Sequence, residues 1–126
     1  MWVIRDAQLQ ALQRSLDRRF AQSLAVVIRQ RFPRQSAEMN DPSLLDVVLT
    51  HVREAELYGI THPYAVTDYV GLKFELGFAF DRHPMVAELL QDRSIDGEKK
   101  LRMLSMSMTE RDWAEVRRFC SELESG

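Results

Sequence analysis

The stretch YGITHPYAVTDYVGLKFELGFAFD, residues 58–81, constrains this chain more than any other. Gly59 reads as the residue just past a helix end, because glycine enters the left-handed conformation there without a Cβ penalty. Ile60 supplies the apolar position that follows such an end. Thr61 is placed to cap a new helix that carries Pro63 in its first turn. From there Ala65, Tyr69, Leu72, Leu76 and Phe80 form one stripe at helical spacing. Val66, Val70, Phe74, Gly77 and Phe78 widen the apolar surface beyond half the circumference. A helix apolar nearly all round belongs in an interior. The expectation is a central helix over about 61–80 with Tyr69, Leu72, Leu76 and Phe80 largely buried.

The flanking sequence is helical in pattern as well. Asp6 is positioned to cap a long helix reaching about Phe32, with Leu9, Leu12, Leu16, Phe20, Leu24, Val27, Ile28 and Phe32 at steps of three and four. Pro33 pushes the preceding residue out of helical geometry and stops it. A short helical turn over 34–39 ends at Asn40. Asp41-Pro42 then restarts a helix that buries Leu45, Val48, Leu49, Val52 and Ala55 as far as Tyr58. Pro84 opens a shorter helix with Val86, Leu89 and Leu90 inward, and residues 91–97 read as a loop hinged at Gly97. A further helix carries Leu101, Met103 and Leu104. Thr109-Glu110-Arg111-Asp112 has the form of a capping box and opens a last helix with Trp113, Val116, Phe119, Cys120 and Leu123 on one side. No stretch reads as a strand and no repeat is present. The predicted fold is all-α, a compact single-domain bundle (residues 1–126) of six to seven helices around the central one. The length suits one core and is short for two.

Charge is unevenly distributed. Residues 1–34 hold seven arginines against Asp6 and Asp17, a balance of +5, so the remainder carries −7 of the net −2. A basic segment can mark a nucleic-acid or membrane surface, but acidic partners are available within the chain. Asp68 and Glu75, seven apart on the central helix with Gly71 between them, are the expected acidic side of an ion pair, with Arg18 and Arg19 opposite. A DNA-reading helix needs polar residues that reach base edges, and the helix after Gly59 is the most apolar in the chain. Nucleic acid is therefore not the expected partner. No apolar run is long enough for a membrane span. Trp2–Ile4, interrupted by Arg5-Asp6, is too short for a signal peptide. The lone Cys120 excludes an internal disulfide, which suits a reducing compartment; a cytoplasmic location is expected.

Catalytic chemistry finds little purchase. His51 and Glu54 have the three-residue spacing used in metal-carboxylate bundles, but such sites draw matching ligands from other helices. His62 and His83 stand at helix boundaries, so capping or surface roles are expected of the histidines. There is no Gly-x-Ser-x-Gly elbow, and the five glycines are too scattered for a phosphate loop. Cys120 lies on a packed face as a small hydrophobe. No catalytic residue, metal or cofactor is assigned, and the chain is not expected to be an enzyme. Phe74 and Phe78 fall opposite the main stripe, and Met103, Met106 and Met108 sit on a weakly amphipathic helix. Adaptable methionines of this kind suit a protein partner.

Phe32-Pro33 behind an arginine-rich helix, then Tyr58-Gly59-Ile60, Val66, Tyr69, Leu72, Gly77 and Phe80-Asp81 at fixed spacing, form a pattern. Over residues 4–105 it resembles a group of small, wholly helical bacterial proteins encoded in type VI secretion effector islands. These lie beside genes for spike proteins, PAAR tip proteins and the adaptors that load effectors. The chain departs from the pattern at Gly71, where an acidic residue often precedes the leucine, and has Asp68 instead. The resemblance implies structural roles for the motif residues. It also implies a cytoplasmic, non-catalytic accessory or co-chaperone-like protein that binds an effector or its loading adaptor. An immunity protein neutralising a cognate toxin, and a helical regulatory or nucleic-acid-binding domain, are the alternatives.

Overall fold

The computed structural model describes the backbone of residues 6–125 and the side chains of residues 17–124. The lead-in over residues 1–5, the capping role of Asp6 and the core positions Leu9, Leu12 and Leu16 lie outside what is described. The described residues form seven α-helices and one 3-10 turn, with no strand among them, so the fold is all-α. The helices are α1 (Asp6–Arg31), α2 (Pro33–Ser36), α3 (Asp41–Leu57), α4 (Pro63–Leu76), α5 (Pro84–Leu90), α6 (Gly97–Ser107) and α7 (Glu110–Ser125), with the turn at Phe80–Arg82 between α4 and α5. None of the described helices is long and apolar enough to cross a membrane. The chain divides into two compact units, Met1–Val52 and Arg53–Gly126, with the boundary inside α3.

In the first unit Ala21, Leu24, Ile28, Leu44 and Val48 are buried. The reversal after α1 is held by one guanidinium. Arg29 donates to the carbonyls of Ser36 (2.9 Å) and Met39 (2.5 Å) and to the Asp41 carboxylate (3.1 Å). A single arginine thereby ties the carbonyls at and after the end of α2 to the start of α3. The cap of α3 is Asn40, whose side-chain oxygen accepts from Ser43 N at 2.9 Å. Asp41 is already helical, so α3 starts one residue earlier than the sequence suggested.

In the second unit α4 meets α6, α7 and the 3-10 turn. The end of α3 is closed as expected: Gly59 has φ +80°, Ile60 N donates to Ala55 O and Gly59 N to Glu56 O, both at 2.9 Å. This is the Schellman pair, and Ile60 and Ala55 are both buried beneath it. His62, rather than Thr61, caps α4 by accepting from Tyr64 N; His83 caps α5 in the same way. The capping box of α7 is present in both directions, Thr109 N to the Asp112 carboxylate (2.9 Å) and Asp112 N to Thr109 Oγ1 (3.1 Å).

Two expectations about the central helix need correction. It ends at Leu76, not near residue 80, and Gly77 is its terminus at φ +130°. A Cβ at Gly77 would lie 2.3 Å from the Cβ of Cys120 on α7, so the position needs glycine for both conformation and space. The buried face of α4 is also not the stripe read from the sequence. Val66, Tyr69, Val70, Lys73 and Phe74 form a regular buried i, i+3, i+4, i+7, i+8 face; of the expected stripe Tyr69 and Leu76 are buried as well, whereas Ala65 and Leu72 are only half-buried. Phe80 remains fully buried, but from the 3-10 turn.

Candidate functional site

The buried face of α4 carries a lysine. Lys73 is 2% exposed, and each of its three N–H groups has an acceptor. Its Nζ lies 2.7 Å from Glu54 Oε2 on α3, 2.7 Å from Asp81 Oδ1 on the 3-10 turn, and donates to Phe78 O at 2.8 Å. Two phenols close the ring of contacts: Tyr58 donates to Asp81 Oδ2 (2.8 Å) and Tyr69 to Glu54 Oε2 (3.1 Å). The ammonium also lies 5.5 Å from the ring centres of Tyr69 and Phe80, within cation–π range. Gly77 makes this possible. By ending α4 one turn after Lys73, it lets the chain fold back so that Phe78 O and Asp81 face the ammonium.

Burial, together with the Asp81 and Glu54 carboxylates, raises both Tyr58 and Tyr69 well above the usual phenol range. Both are held as donors. The arrangement is a saturated polar knot: one ammonium, two carboxylates, one carbonyl and two phenols, joining α3, α4 and the 3-10 turn. A lysine used as nucleophile or base needs a nitrogen free to meet substrate, and here all three donor positions are engaged by the protein. Tyr58, Tyr69, Phe80 and Asp81, singled out as structural from the motif, all converge on Lys73. The lysine itself was missed, although a lone cation amid the apolar run 69–80 is a visible signal. Phe32 and Pro33 sit at the α1–α2 junction and Val66 is buried in α4, as structural positions.

The other expected positions divide. Phe74 is buried at 3% exposure and packs edge-on to Phe78 at 5.2 Å, so it is core and not a docking residue. Phe78 is partly exposed, Met103 is 42% and Met106 81% exposed, and Met108 is half-buried. On α6 the inward residues are Leu101 and Leu104, while Met103 and Met106, three apart, share an outer stripe. Glu75 meets Arg117 of α7 at 3.3 Å, so its arginine comes from the last helix and not from Arg18 or Arg19, which are exposed, as is Asp68. His51 is buried within α3, contrary to the surface or capping role expected of it. Glu54, three residues on from it, is held by Lys73 and Tyr69, and no metal-binding cluster of His, Cys, Asp or Glu occurs among the described residues. Cys120 is buried against Gly77, and burial pushes its thiol up, as befits a packed hydrophobe.

Two open clefts are present among the described residues. One of about 270 Å³ in the first unit is bounded by Val26, Leu44, Leu45 and Arg29. One of about 590 Å³ in the second unit lies where α3 and α5 end, bounded by Leu57, Tyr58, Leu90, Arg93, Ile95 and Lys100. Comparison of the chain with protein-family models, with curated proteins and with solved structures finds no match.

Proposed function

We propose that this protein is a non-catalytic accessory that binds a polypeptide, a type VI secretion effector or the adaptor that loads it, in the bacterial cytoplasm. The observation that carries the reading is the outer stripe of α6. Met103 and Met106 stand exposed on a helix whose inner face, Leu101 and Leu104, is already packed. Exposed methionines adapt their shape to a partner's apolar surface at low cost in strain. Phe78, partly exposed, adds a second apolar element in the same unit. The saturated Lys73 knot supports a scaffold rather than a reaction centre, since the strongest polar cluster in the unit is fully engaged in holding helices together. The motif Tyr58-Gly59-Ile60 through Phe80-Asp81 supplies the secretion-island context, as a resemblance.

The test is co-expression of the tagged protein with the products of its neighbouring genes, singly and together. The expected result is co-purification of an effector or an adaptor, with a gain in that partner's solubility and no loss of effector activity. Tight binding that abolishes the activity of a toxin domain would identify an immunity protein instead. If no neighbouring product co-purifies, the accessory role is wrong.

A further inference from the structure

The larger cleft contains a second buried lysine. Lys100, in the first turn of α6, is 3% exposed and bounds the cleft. Its Nζ donates to Tyr58 O at 2.8 Å and to Leu90 O at 2.6 Å. These are carbonyls from the last turns of α3 and α5, where the helix dipoles place partial negative charge, so an ammonium is tolerated there without a carboxylate. No carboxylate among the described residues lies within ion-pair distance of it, and an ammonium has three donors. One N–H is therefore left for something else. Arg93 adds a second cation, and Glu56 is the one carboxylate among the described lining residues. Leu57, 87% exposed, and the half-buried Ile95 supply apolar surface. The cleft volume of about 590 Å³ is in the range of specific ligand sites.

A held ammonium and an exposed guanidinium in one cleft, with Leu57 and Ile95 beside them, match an anion with an apolar substituent. We propose that this cleft captures the C-terminal carboxylate of a polypeptide whose last residue is apolar. Lys100 and Arg93 meet the carboxylate, and the terminal side chain lies against Leu57 and Ile95. The assignment rests on the polypeptide-binding reading above and gives it a specific chemistry, terminal carboxylate capture. Gly97 contributes indirectly: its missing Cβ, which would fall 1.9 Å from Gly59 O, lets α6 approach the end of α3 and brings Lys100 to Tyr58 O.

The experiment titrates the full chain with short peptides ending in leucine, as the free acid and as the C-terminal amide, followed by calorimetry. The free acid should bind, and the amide should bind about tenfold or more weakly, since it lacks the charge-assisted contact. Lys100→Met removes the bonds to two helix ends and can unfold the unit, so the informative variants are the exposed Arg93→Ala and Leu57→Ser. Each should weaken the acid peptide by about threefold or more with the melting temperature unchanged. Acid and amide binding within about twofold of each other, or no binding of the acid at about 1 mM, overturns the proposal. Inorganic phosphate binding as tightly as the acid peptide also overturns it, by making the cleft a site for small anions. Met103→Asp with Met106→Asp should leave peptide binding intact. Peptide failure with co-purification retained therefore rejects the cleft alone, and peptide binding without co-purification of any neighbouring product rejects the accessory role alone.

Discussion

Lys73 occupies a core position with an acceptor for each of its three donors. Removing one partner of a buried ion pair leaves the other uncompensated, which costs more than the intact pair contributes. Lys73→Met should lower unfolding free energy by about 3 kcal/mol, the low end of the range because Glu54 remains a third exposed and shares its charge with solvent. Adding Asp81→Asn should recover part of that loss in denaturant titration. A Lys73→Met variant as stable as the parent would contradict the knot. The two phenols give a pH test. Their folded pKa values lie above the ordinary 10.0, so their contribution is complete below pH 10.0 and is lost as pH rises beyond it, when the unfolded chain ionises first. In a Tyr64→Phe background, phenolate absorbance should rise only as helical circular dichroism falls. Phenolate titration near pH 10 with helix intact would contradict it.

At the scale of elements, Gly77 is the position on which the second unit turns. Gly77→Ala imposes both a disfavoured φ and a clash with Cys120 Cβ, and should cost about 2–4 kcal/mol. Cys120→Ala keeps that Cβ and should not rescue it; rescue would show that the strain lies at the sulfur. The α7 cap gives a second pH effect. Hydrogen bonds from Thr109 lower the Asp112 pKa below its ordinary 3.8, so the cap contributes fully above that value and is lost as pH falls through the depressed one. Asp112→Asn should flatten the acid limb of the stability curve, and an unchanged limb would contradict the role. Helix ends were largely legible because capping is local chemistry: Gly59, Pro84 and the Thr109–Asp112 box needed only their neighbours. The end of α4 was not. The apolar period runs on through Phe80, while the helix ends at Gly77 in a positive-φ conformation, packed against Cys120, a residue 43 positions away. The same holds for the buried stripe, since Lys73 is acceptable inside only because Glu54 and Asp81 arrive from other elements.

At the scale of the molecule, the all-helical class follows from a sequence with a helical period from end to end. The division at residues 52 and 53 does not, because it falls inside the continuous helix α3. The candidate surface was half legible. Met103 and Met106 stood out from the inward Leu101 and Leu104, while Phe74 looked equally displaced until the observed face of α4 placed it in the core. The cleft beside Lys100 left no local signature, as its walls come from α3, α5 and the loop before α6. The central claim is that the exposed stripe of α6 binds a polypeptide while the Lys73 knot only holds the scaffold. The most direct measurement is the affinity of the co-purifying effector or adaptor for wild type and for Met103→Asp/Met106→Asp, beside the melting temperature of each. The claim predicts that the double variant binds at least about a hundredfold more weakly while melting within a few degrees of wild type. Unchanged affinity, or loss of affinity together with unfolding, would contradict it.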